Sequence, residues 1–140
     1  MERGNGIMTS AYVGEFNYTE YKHIIETLQK HFTFLDYDNI DSNIDNFCVV
    51  RHDVEFSVER AHQLALFEHQ VLGIKTNYFF QIRNNCYNTF SDKNISLIRD
   101  IYEMGHNIGL HAHMEALESI DNLKEYIVND INILQTMIKV

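Results

Sequence analysis

The residues best equipped for chemistry in this chain stand in two short clusters. The first is Arg51-His52-Asp53-Val54-Glu55, which follows directly on the apolar run Phe47-Cys48-Val49-Val50. The second runs from His106 to Glu115 and carries His111, His113 and Glu115 at its end. Carboxylate and imidazole are the usual ligands of zinc and other divalent transition ions. Three protein ligands leave one position open to water, and an additional carboxylate beside them serves as general base. Two adjacent carboxylates repel and are costly to bury without a partner. Asp53 and Glu55 therefore call for a cation or for a basic neighbour such as Arg51.

Such clusters work together only if the fold brings them together. The β-branched residues of the apolar run predict a buried strand from Phe47 to Val54. Alternation along a strand puts Asp53 and Glu55 on one face, with His52 and Val54 on the other. Ser57 is a natural N-cap for a helix carrying Val58, Ala61, Leu64, Ala65 and Phe67 to Glu68, which Gly73 stops. Ile74 to Ile82 is rich in β-formers and predicts a second strand. After the polar loop 83–90, Ser91 caps a helix with Ile95, Ile98, Ile101 and Tyr102 inward, ended by Gly105. His106 to His113 predicts a third strand. A last helix starts at Glu115 or Leu117, with Leu123, Ile127, Ile131, Leu134 and Ile138 as its stripe.

Upstream, Thr19 is expected to cap a helix with Ile24, Ile25, Leu28 and Phe32 at helical spacing. Phe32 to Leu35 forms a short strand, and the Asp- and Asn-rich 36–46 a turn. From residue 47 the order β-α-β-α-β-α predicts an α/β fold with a parallel sheet and right-handed crossovers. Both polar clusters then lie at the same carboxyl edge, where Asp53, Glu55, His111, His113 and Glu115 converge. His111 and His113 share a face if the third strand continues; His111 and Glu115 share one if the chain turns helical there.

The 140 residues suit one modest domain with a real core, preceded by an irregular leader over 1–16. A formal charge of −9 disfavours nucleic acid and anionic membranes as partners. No apolar run approaches the roughly 18 residues that span a bilayer, and the first residues lack a signal-peptide core. The expected location is cytoplasmic. Cys48 and Cys86 lack metal-ligand spacing, and Cys48 is expected to be a small buried hydrophobe. His23, His31, His62 and His69 are assigned to solvated helix faces, and His106 to a structural place facing a helix C-terminal dipole. Tyr78, Phe79 and Phe80 are read as core. No glycine-rich loop follows a strand, which disfavours a nucleotide site.

The ordered segments RHDVEFSVERA, IKTNYFF, YNTFS and IYEMGHNIGLHAH, spanning about residues 8 to 140, resemble the polysaccharide deacetylase family. This is carbohydrate esterase family 4, the chitooligosaccharide deacetylase homology group, and the match is to its Asp-Val-Asp branch. The resemblance implies the N-terminal part of a distorted (β/α) barrel, a divalent metal (zinc above all), and hydrolysis of N-acetyl groups on a sugar or glycan with water as nucleophile. It places the general base at Asp53, metal ligands at Glu55 and His111, and a third ligand at Glu115, where the family has histidine; His113 is the alternative. Glu55 replaces the family's aspartate. The family's later motifs, including an arginine that orients the base, have no counterpart here. The resemblance thus implies an incomplete single domain, expected to form a homodimer through an exposed sheet edge, to bind a partner or to be marginally stable. Its rival is a truncated, non-catalytic interaction or carbohydrate-binding module.

Overall fold

The computed structural model describes residues 16–41, 43–112 and 122–138. Helix α1 (Tyr18–Gln29) leads into β1 (Thr33–Leu35), a 3₁₀ turn (Tyr37–Asn39) and β2 (Phe47–Val49). Strand β3 (Arg51–Val54) follows, then α2 (Val58–Phe67), β4 (Asn77–Phe80), α3 (Asp92–Glu103), β5 (Asn107–Leu110) and α4 (Leu123–Ile138). The fold is α/β. Strands β1 and β2 pair parallel, and β3-β4-β5 form a second parallel sheet in that order. No closed barrel forms among the described residues.

The expected single strand Phe47–Val54 is two strands. Val50 carbonyl accepts from both the backbone N–H (3.1 Å) and the side-chain amide (2.8 Å) of Asn77. That double capture turns the chain from pairing with β1 to pairing with β4. The run is also less buried than its composition suggests: Phe47 is exposed, and Cys48 and Val49 are half-buried. Strands β4 and β5 are likewise shorter than Ile74–Ile82 and His106–His113, because only four registered positions meet between neighbours.

Helix starts follow capping chemistry. Ser57 Oγ accepts from Arg60 N–H and Ser91 Oγ from Asn94 N–H, as their positions imply. The cap of α1 is Asn17, not Thr19: its Oδ1 accepts from Glu20 N–H at 3.0 Å. Of the α1 stripe only Ile25 is buried, whereas Ile24 and Phe32 are exposed. Helix α2 widens into a π-turn, Glu68–Leu72, which Gly73 ends in the left-handed region at φ 63°.

The main core joins Val54, Tyr78 and Phe80 of the sheet to Val58, Ala61 and Ala65 of α2, Ile98 and Ile101 of α3, and Leu134 and Ile138 of α4. Each fully buried Val, Leu, Ile or Phe side chain among them contributes about 1.5–3 kcal/mol. Tyr102 and Ile131, expected inward, are exposed. Arg99 of α3 donates to the carbonyls of Met137 and Ile138, satisfying the last turn of α4. The expected start of the last helix and the leader (apart from Phe16) lie outside the described residues. Among the described residues, no helix is long and apolar enough to cross a membrane.

Candidate functional site

Register builds the site. Asp53, Phe79 and Gly109 stand side by side across β3, β4 and β5. Glu55 follows one residue after β3, and His111 directly after β5, its N–H donating to the Phe80 carbonyl at 2.9 Å. Both polar strand ends thus reach one rim. His111 Nε2 lies 3.3 Å from Glu55 Oε1, and its Nδ1 lies 3.9 Å from Asp53 Oδ2. Arg51 Nε donates to Asp53 Oδ1 at 2.6 Å. That hydrogen bond is the main reason the guanidinium is held above its ordinary value. The His111 side chain is 21% exposed, against 39% for Asp53 and 50% for Glu55. The imidazole is sheltered while the carboxylates face solvent.

The arrangement suits ion binding in its donor chemistry. Two ligands, each about 2.1 Å from a tetrahedral ion, stand about 3.4 Å apart, close to the Glu55–His111 separation. Among the described residues, no group of three or more His, Cys, Asp and Glu side chains is arranged to hold an ion. His113 and Glu115, the two candidates for a further ligand, lie outside the described residues. A cleft of about 660 Å³ opens beside the rim, walled by Asp53, Glu55, Phe56 and Arg60 and, from the other side of β3, by Tyr21 and His52. Its size is that of small-molecule sites.

The opposite face of β3 carries a cluster that the sequence reading missed. Glu68, in the first position of the π-turn, has no solvent exposure. Its Oε1 meets His52 Nε2 at 2.7 Å and accepts from the Tyr21 hydroxyl; its Oε2 accepts from Thr76 Oγ1 at 2.7 Å and the Tyr78 hydroxyl at 2.6 Å. Burial alone would raise the Glu68 pKa. The hydrogen bond and charge of His52, with the bonds from Tyr21 and Tyr78, outweigh it and bring the pKa below the ordinary value. The available signal was a carboxylate on an apolar stripe: Ala61, Ala65 and Glu68 fall at helical spacing.

His106 belongs to the same layer. Its Nδ1 accepts from Thr76 N–H at 3.1 Å, so Nε2 carries the proton and donates to the Ala65 carbonyl at 3.2 Å. The structural role expected for His106 holds, but the partner is a carbonyl within α2. Burial lowers its pKa, and the ring is a neutral donor. His62, expected in solvent, is mostly covered and lies 3.5 Å from Asp100. His23, His31 and His69 are exposed. Cys48 is half-buried, and burial raises its thiol pKa.

No family model, curated protein or solved structure matches this chain.

Proposed function

We propose that the chain is a polysaccharide deacetylase-like hydrolase that cleaves N-acetyl groups from a sugar or glycan, with its sheet as the N-terminal part of a distorted (β/α) barrel. The observation that supports this reading is the meeting of His111 with Asp53 and Glu55 at one rim, from chain segments 56 residues apart. Carboxylate and imidazole side by side are what a divalent ion requires. Glu55 and His111, with His113 or Glu115, would hold zinc. Bound there, zinc would supply Lewis acidity towards the acetyl carbonyl and towards water. Asp53 takes the proton of the attacking water on Oδ2, the oxygen that Arg51 leaves free. Hydrolysis then breaks the C–N bond to give acetate and the sugar amine. The neighbouring cleft receives the glycan.

Calorimetric zinc titration tests the ion site. Wild-type protein binds zinc, and Asp53→Ala/His111→Ala protein does not; equal binding by the two rejects the site. Acetate release from N-acetylated chitooligosaccharides tests the reaction. A second reading, a carbohydrate-binding or interaction module without turnover, is favoured by the pairing of Arg51 with Asp53 and of His111 with Glu55, which gives each polar group of the rim a partner within the chain. Oligosaccharide binding without acetate release selects it. Strands β3 and β5 are the edges of the three-stranded sheet among the described residues. The proposed homodimer uses such an edge, and sedimentation equilibrium reads it directly.

A further inference from the structure

Gly109 owes its place in β5 to a neighbour rather than to its own backbone. A Cβ at this position would stand 2.4 Å from Phe79 Cε1 and 2.5 Å from Cδ1, far inside contact distance. The absent side chain leaves the space that the Phe79 ring occupies, next to its registered neighbour in β5. The guanidinium carbon of Arg51 rests 4.2 Å from the centroid of that ring, in cation–π range. Tyr37 packs edge-on against the same ring at 5.9 Å and 83°. Arg51 then delivers Nε to Asp53 Oδ1. Gly109, Phe79, Arg51 and Asp53 form a continuous stack across three strands, all on the face opposite the main core.

The stack does for Asp53 what a free arginine cannot. An exposed Arg–Asp pair is weak because both side chains lose freedom on forming it. A guanidinium already laid on an aromatic face has lost that freedom beforehand, and its planar donor set then points one way. We infer that Phe79, seated over Gly109, is a positioning residue for Asp53: through Arg51 it fixes Oδ1 and leaves Oδ2 turned towards His111. Asp53's use as a base rests on the hydrolase reading; the stack itself does not.

The test is side-chain NMR on the full chain. In wild-type protein the Arg51 side-chain protons are shifted upfield by the Phe79 ring, Nε–H exchanges slowly, and Asp53 holds one χ1 rotamer. Phe79→Leu, which keeps an apolar side chain, and Gly109→Ala, which drives the ring away without touching the rim, both remove the upfield shift. In both, Nε–H exchange accelerates roughly fivefold and Asp53 χ1 averages, with the far-ultraviolet circular dichroism unchanged. Phe79→Trp, which keeps a face for the guanidinium, retains the wild-type signature. Wild-type exchange and a single Asp53 rotamer in folded Phe79→Leu or Gly109→Ala protein overturn the inference. In an acetate-release assay, Phe79→Leu lowers kcat roughly tenfold with KM unchanged. If wild-type protein releases no acetate, the hydrolase reading falls, while the NMR result still decides the stack.

Discussion

His52 Nε2 lies 2.7 Å from Oε1 of Glu68, a carboxylate with no exposure to solvent. The residue after His52 is Asp53, whose side chain serves the rim on the other face. Strand β3 is thus held on one side by a buried polar hub and presents its acid on the other. The hub ties α1 through Tyr21, β3 through His52 and β4 through Tyr78 to one carboxylate. Disturbing it should move the strand that carries Asp53.

Replacing Glu68 is therefore expected to be severe. Glu68→Ala leaves the His52 ring and three hydroxyls without their acceptor, and breaking such a buried pair costs about 3–5 kcal/mol. Urea denaturation reads the loss. Glu68→Gln isolates the charge. The folded pKa of Glu68 lies below the ordinary 4.5, so its ionised form stabilises the fold above that pH, and the contribution disappears as pH falls below it. Glu68→Gln protein should lack this component of acid unfolding. A wild-type acid limb in Glu68→Gln protein would show that Glu68 does not supply it.

His106 also loses stability on acidification, but in a different window. Its folded pKa lies below the ordinary 6.5, chiefly through burial. Between these values the unfolded chain binds the additional proton, so stability falls as pH drops from about 6.5. Glu68 opposes the shift, and His69 and His52 reinforce it. We expect His106→Gln, which cannot titrate, to be less stable at neutral pH yet to have a flatter Tm profile on acidification. Parallel profiles for the two proteins would contradict this.

Three of the eight tyrosines should resist alkali. Burial, followed by the Glu68 charge, drives the phenols of Tyr21 and Tyr78 far above the ordinary 10.0. Tyr87 is pushed up to about 12, mainly by burial. Its hydroxyl donates to the Val54 carbonyl at 2.6 Å and accepts from Gln81 N–H at 3.1 Å. At about pH 11, Tyr21, Tyr78 and Tyr87 should stay protonated in the folded protein, and their phenolate absorbance should appear on adding denaturant.

The glycines separate two kinds of constraint. Gly73 adopts φ 63°, and nothing lies within 4 Å of the Cβ it lacks. Gly73→Ala should cost about 1–2 kcal/mol from backbone conformation alone. Gly109 has no such strain, and its substitution acts through the displaced Phe79 ring. Denaturation midpoints should show Gly73→Ala lowering stability while the Arg51 side-chain resonances keep their wild-type positions.

Local chemistry settled much of this fold in advance. Ser57 and Ser91 cap their helices, Gly73 and Gly105 end theirs, and alternation along β3 sends Asp53 and Glu55 one way and His52 the other. Each depends on residues within a few positions, so one stretch of chain suffices to read it. The parallel α/β order, and with it the expectation that two strand ends share an edge, follows from the same local signals.

Tertiary structure alone decided the rest, because the deciding partners lie far away in sequence. Val50 is where the strand changes neighbours because Asn77, 27 residues on, captures its carbonyl. Glu68 is buried because α1, β3 and β4 each bring a donor to it, and no pattern along α2 announces them. Gly109 is required because Phe79 lies where its side chain would stand. The meeting of His111 with Glu55 depends on the register of three strands, since a slip of one residue would turn either side chain to the opposite face.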